Sequence, residues 1–161
     1  MAKLLSRLGI TPNLVTVLGL ILSFATAYIL AIGEILAGGI LLLVAGLMDT
    51  LDGTLARLQE SASDKGAFLD SVIDRISEAV VLLGLLWFYL DSDDGRTGAI
   101  LVFLALVGSF LVSYTRARAE GLNLESKRGL VTRPERIVIL AGGLLVDQVI
   151  VALALIVVGS L

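Results

Sequence analysis

The 161 residues include no cysteine and no histidine. Together these absences exclude a disulfide scaffold, a thiol nucleophile, imidazole catalysis and every zinc site built on His or Cys. Charge is scarce as well. Only 17% of residues are Asp, Glu, Lys or Arg, and a net charge of -3 excludes a basic nucleic-acid binder. Acid, base and metal chemistry therefore falls to carboxylates. What the chain has in excess is apolar: 57% hydrophobic residues and a mean hydropathy of +0.99, in a length that suits one domain, lie far outside the balance of a soluble protein.

Leu8 to Gly33 is a run of 26 residues without a charge, and Thr97 to Thr115 is another of 19. Each is long enough to cross a hydrocarbon core as a helix. The first exceeds the apolar region of a signal peptide and lacks a small-residue cleavage site, so it reads as a first span. The runs Ile35–Met48, Ala79–Leu90, Ile137–Val146 and Gln148–Leu161 are shorter. They gain length from polar extensions, so that helices from about Glu34 to Arg57 and from about Gly66 to Leu90 would each reach roughly 36 Å. Thr11-Pro12 marks a helix start, and Thr132-Arg133-Pro134-Glu135 has capping-box spacing. Loops are expected near Gly33-Glu34, Leu58–Lys65, Asp91–Arg96, Glu120–Val131 and Asp147. Lys3 and Arg7 around Leu4, Leu5 and Leu8 fit either a short interfacial helix or an irregular start. The expectation is an all-α integral membrane protein of six transmembrane helices, a single domain over residues 1–161. Alternating spans put 11 of the 12 cations on one side and Arg96 alone on the other. By the positive-inside rule that side is cytoplasmic, which predicts a cytoplasmic-membrane protein whose active-site cavity faces the cytoplasm.

On that side the second and third helices carry Asp49, Asp52, Gly53, Ala56 and Arg57, then Gly66, Asp70 and Asp74. Asp49 with Asp52 at i,i+3, and Asp70 with Asp74 at i,i+4, put each pair on one helix face, so two neighbouring helices aim four carboxylates into one site. Any one of these residues alone reads equally as an interfacial charge. Four together repel, and ionised groups at membrane depth cost about 2.5–3.5 kcal/mol each, so the set lines a watery cavity or holds a cation. An all-oxygen donor set favours Mg²⁺, Mn²⁺ or Ca²⁺. Gly53 and Gly66 let a substrate approach the backbone, and Arg57 offers a phosphate-binding fork. Glu60, Asp64, Lys65 and Glu78 read as solvated or salt-bridged structural charges.

Asp49-x-x-Asp52-Gly53-x-x-Ala56-Arg57, eight residues, then Gly66-x-x-x-Asp70-x-x-x-Asp74 resembles without a gap the signature of the CDP-alcohol phosphotransferases, integral membrane enzymes of phospholipid synthesis. Thr11-Pro12-Asn13 and the six expected spans extend the likeness over nearly the whole chain. The resemblance implies that Asp49, Asp52 and Asp70 are metal ligands that hold a CDP diphosphate. It implies that Asp74 is the general base and a ligand of a second metal, the ions being one or two Mg²⁺ or Mn²⁺. It further implies that Gly53, Ala56 and Gly66 line the nucleotide slot, that Arg57 faces its phosphates, and that the enzyme is a homodimer. Gly38-Gly39, Gly84 and Gly108 permit close helix packing within or between chains.

The signature names the donor, a CDP-linked lipid such as CDP-diacylglycerol, but not the acceptor. Ser113, Arg116 and Arg118 at the end of the fourth helix, with Arg133 and Arg136 at the start of the fifth, form a second basic cluster suited to a phosphate monoester. Lipid-headgroup anchoring is the alternative. These segments resemble those of phosphatidylinositol-phosphate synthases, which implies inositol 1-phosphate as the phosphorylated polyol. Arg116 stands where lysine is expected in the bacterial members, and glycerol 3-phosphate is the competing acceptor. Two other classes use clustered aspartates. A membrane prenyltransferase would have more spans and Asp-rich repeats, and a cation transporter would continue its polar path, whereas Ile35–Met48 and Ala79–Leu90 hold no ionisable side chain apart from Tyr89.

Overall fold

The computed structural model describes residues 12–58, 64–124 and 131–160, with side chains described for 14–49, 65–124 and 131–160. The described residues form six α-helices and no strand: α1 (Pro12–Ala31), α2 (Ile35–Leu58), α3 (Asp64–Leu90), α4 (Gly95–Glu120), α5 (Arg133–Leu145) and α6 (Val149–Ser160). Lys3, Arg7 and the expected Thr11 cap lie outside them.

Helix ends follow from local chemistry. After α1, Gly33 takes a φ of +88°, and the Gly33 and Glu34 N–H groups donate back to Leu30 and Ile29 at 3.0 and 3.1 Å, a Schellman closure that needs a residue tolerant of the left-handed region. Asn123 after α4 and Asp147 after α5 adopt the same region with φ of 54° and 55°, the residue types other than glycine that best tolerate it. At the start of α5, Thr132 is extended and its N–H donates to the Glu135 carboxylate, closing the Thr-x-x-Glu box.

Each helix packs against two others, and the contacts close a ring in the order α1–α2–α5–α6–α4–α3. The tightest seam is at Gly84, where a Cβ would run into the backbone of Ala27, so α1 and α3 cross almost backbone to backbone. Gly39 faces Leu144 and Gly108 faces Ser160, so these glycines serve packing within the chain.

The ring is apolar outside. Ile21, Phe24, Tyr28, Leu47, Leu83, Phe103 and Val158 are all more than half exposed, while Thr16, Ser23, Thr26, Ser77, Ser109 and Arg136 are buried. Buried hydroxyls are satisfied locally where they can be: Ser23 donates to the Gly19 carbonyl at 2.9 Å and Thr26 to the Leu22 carbonyl at 2.8 Å. Two helices are long and apolar enough to cross a membrane by themselves, through Leu14–Ala31 and Gly95–Glu120. The expected lengthening of α2 and α3 by polar segments is present, at 24 and 27 residues. By contrast α5 and α6, at 13 and 12 residues, rise only about 20 and 18 Å, short of a hydrocarbon core of about 30 Å.

Candidate active site

The segment of α2 at Asp49, the first half of α3 at Asp70 and Asp74, and the first turn of α5 meet at one end of the ring. Asp49 of α2 and Asp70 and Asp74 of α3 each offer a carboxylate oxygen, and these oxygens all lie within 4.8 Å of one another. The i,i+4 spacing on α3 brings this about, because it sets Asp70 and Asp74 above one another on the face turned to α2. Asp52, Gly53, Ala56 and Arg57 share α2, but their side chains lie outside the described residues. Gly66 stands one turn before Asp70 on α3.

Three carboxylates this close need positive charge among them. Arg133, the first residue of α5, supplies it through Nη1, which is 2.5 Å from Asp49 Oδ2 and 2.7 Å from Asp74 Oδ1. Neutralisation is incomplete. Asp70 Oδ1 is buried with no hydrogen-bond partner, and so is Arg133 Nε. A buried carboxylate oxygen without a donor is costly, and an all-oxygen donor set of this kind suits Mg²⁺ or Mn²⁺, so the residues present fit a hard divalent ion.

One turn further along α5 lies a separate ion pair. Arg136 Nε and Nη2 donate to the two carboxylate oxygens of Glu78 at 2.7 and 3.0 Å, and its Nη1 donates to the Val131 carbonyl at 3.1 Å. Glu78 is set aside by sequence as a structural charge, yet it continues the stripe Asp70, Asp74, Glu78 at successive steps of four, the signal that places it on the same face. A central cavity passes from Asp49 and Arg133 down to Glu78, Arg136, Ser77 and Ser109. Of the remaining members of the expected basic cluster, Arg116 and Arg118 are exposed on the last turns of α4, and Arg116 lies within electrostatic reach of Glu135. Ser113 lines a shallow groove with Ser71 and Arg75. The structure thus joins Arg133 and Arg136 to the carboxylates of α2 and α3, and leaves Arg116 and Arg118 facing outward.

The CDP-alcohol phosphatidyltransferase family model matches residues 9–161. The chain is 39% identical over 143 residues to a phosphatidylinositol phosphate synthase of Mycobacterium bovis, covering 88% of this chain and 66% of that protein, so it spans just under two thirds of that relative's length. It is also 39% identical over 139 residues to an archaetidylinositol phosphate synthase of Pyrococcus horikoshii, covering 86% of this chain and 71% of that one. The crystal structure of the Mycobacterium tuberculosis phosphatidylinositol phosphate synthase with CDP-DAG bound superposes with a TM-score of 0.89 at 36% identity, over 99% of this chain and 85% of that one. The same enzyme in complex with manganese and citrate gives 0.89 at 35% identity, over 99% and 81%. With its motif aspartates gathered at one end of an all-helical ring, this chain belongs to the CDP-alcohol phosphatidyltransferase family.

Proposed function

We propose that the chain transfers a phosphatidyl-type group from a CDP-linked lipid to a hydroxyl of inositol 1-phosphate, releasing CMP. The observation that carries this reading is the convergence of Asp49, Asp70 and Asp74, at the spacing of the family motif, beside an arginine from α5. Relatives named for inositol phosphate products favour that acceptor over glycerol 3-phosphate. Because they are named for both phosphatidyl and archaetidyl products, the donor is assigned as a CDP-linked lipid without a choice of tail.

Asp49, Asp70 and Asp74, with Asp52 of the same motif, would hold one or two Mg²⁺ or Mn²⁺ ions. When bound, such ions offset the charge that develops on the departing CMP phosphate. The family resemblance assigns Gly53, Ala56 and Gly66 to the nucleotide slot and Arg57 to its phosphates. Asp74 accepts the proton of the attacking hydroxyl. The new P–O bond forms at the phosphorus that bears the lipid alcohol while its bond to the CMP oxygen breaks, so no protein nucleophile is needed. Arg133 at the rim, with Arg116 near Glu135 at the start of α5, forms the side of the site that receives the acceptor phosphate, while Arg136, already engaged by Glu78 and Val131, and the more remote Arg118 and Ser113 stand apart from it.

The same reading makes residues 1–161 one domain in the cytoplasmic membrane, with six helices in the bilayer and the acidic end toward the cytoplasm. The skew of Lys and Arg toward that end supports the orientation. The apolar exterior of the ring supports the bilayer as its surroundings. The homodimer rests on the resemblance alone.

The test is CMP release by purified protein given CDP-diacylglycerol and Mg²⁺ or Mn²⁺, with inositol 1-phosphate and glycerol 3-phosphate offered in parallel. Release with inositol 1-phosphate only, abolished by EDTA, is expected. Release with glycerol 3-phosphate only would overturn the acceptor, and release indifferent to EDTA would overturn the metal.

A further inference from the structure

Two arginines enter the ring from the first turn of α5, and their surroundings differ in kind. Arg136 is 3% exposed, and its Nε, Nη1 and Nη2 all donate hydrogen bonds to Glu78 or Val131. Arg133 makes both of its contacts through one nitrogen, its Nε has no partner, and its side chain is 18% exposed. Its two contacts are to Asp49 and Asp74, which are two of the three carboxylates able to share a metal ion.

We infer that Arg133 is the resident counter-cation of the acidic site: it sits between Asp49 and Asp74 while no metal is bound, and metal entry displaces it. This rests on the metal-dependent reading above. A hard divalent ion binds carboxylate oxygen at about 2.0–2.1 Å for magnesium, which leaves no room for a guanidinium nitrogen bridging the same two side chains and sets two cations in repulsion. The exchange favours the ion on three counts. Arg133 reaches only two of the three carboxylates, leaving Asp70 Oδ1 without a partner. Departure of Arg133 breaks contacts made by one nitrogen and frees an Nε that is unsatisfied where it stands. A metal ion can engage all three carboxylates at once.

The displaced guanidinium becomes a free anion-binding fork at the rim, and Asp74 loses its ion-pair partner. The acceptor phosphate therefore meets an unoccupied Arg133 only after metal has entered, which orders metal before acceptor.

Mn²⁺ binding, read from the electron paramagnetic resonance signal of free Mn²⁺, tests the exchange without reference to turnover. Arg133→Gln removes the competitor, so its Mn²⁺ dissociation constant should fall about tenfold below that of the unaltered protein. Its melting temperature in EDTA should fall at the same time. Unchanged or weaker Mn²⁺ binding in the variant overturns the exchange, and absence of Mn²⁺ binding in the unaltered protein overturns the metal reading with it. Should the variant fail to fold, the unaltered protein decides: Mn²⁺ should speed phenylglyoxal modification of Arg133 several-fold, located by mass spectrometry, while Arg136 stays unreactive. An Arg133 rate that is unchanged or slowed by Mn²⁺ overturns the proposal.

Discussion

At the rim of the ring, Arg133 bridges two carboxylates through one nitrogen and leaves its Nε idle, whereas one turn deeper Arg136 has every guanidinium nitrogen engaged. Both are arginines, both face aspartate or glutamate, and both stand at the start of α5. The difference lies in how completely each is satisfied. A buried charge with a full complement of partners is fixed, because breaking any one bond strands the others in a medium of low dielectric. A half-satisfied charge at a rim is held by little and is free to be exchanged. The rim is therefore the region of chemistry, and the layer beneath it is the region of scaffolding.

That division can be broken by moving activity and stability separately. The largest effect is expected at Asp74→Asn, which should lower CMP release by about 10²–10⁴-fold while CDP-lipid binding and melting temperature stay near their original values. Near-normal turnover would remove Asp74 as the base. Glu78→Ala should do the reverse. It strands the Arg136 charge and should cost about 3–5 kcal/mol of stability, measured by thermal or denaturant unfolding in detergent; pairing Glu78→Leu with Arg136→Met should recover most of it. An unaltered transition for Glu78→Ala would mean that the deeper fork is not scaffolding.

On the seam between α1 and α3, Gly84→Ala presses a Cβ onto the Ala27 backbone and should cost about 1–3 kcal/mol, because two helices rather than one side chain must shift. Gly142→Ala meets nothing within 4 Å and serves as its neutral counterpart. The smallest effect sharpens the rim. Arg116→Ala should raise the acceptor KM about tenfold with little change in the donor KM, as loss of one charge-assisted contact to phosphate would. Equal changes in both constants would place Arg116 outside the acceptor side.

Much of this was legible in residue order because it rests on local rules. Helices expected at about Glu34–Arg57 and Gly66–Leu90 occur at Ile35–Leu58 and Asp64–Leu90, since polar residues extend an apolar run without breaking the helical pattern. Gly33, Asp147 and the Thr132–Glu135 box mark helix ends for reasons that involve only neighbouring residues. The convergence of Asp49, Asp70 and Asp74 follows from spacing once α2 and α3 are held at one end of the ring. The separate fates of Arg133 and Arg136 were not legible. Their i,i+3 spacing puts them on one face and suggests one shared ligand, but which carboxylate each meets depends on α5 packing against α2 and on the ring order, which separations of 84 and 58 residues in sequence do not announce. Glu78, expected to be a solvated or salt-bridged structural charge, is salt-bridged, but that its partner is Arg136 on another helix was not legible.

The closed ring has a consequence for how the chain is made. Residues are joined in order, so α1 to α4 are complete before Arg133 and Arg136 are added. Until α5 arrives, Asp49, Asp70, Asp74 and Glu78 stand without the guanidinium groups that pair with them in the finished ring. Insertion of α5 therefore does more than fill the gap between α2 and α6. It delivers the charges that let the acidic helices settle, so a chain truncated after α4 should be cut by protease faster than the chain that includes α5 and α6.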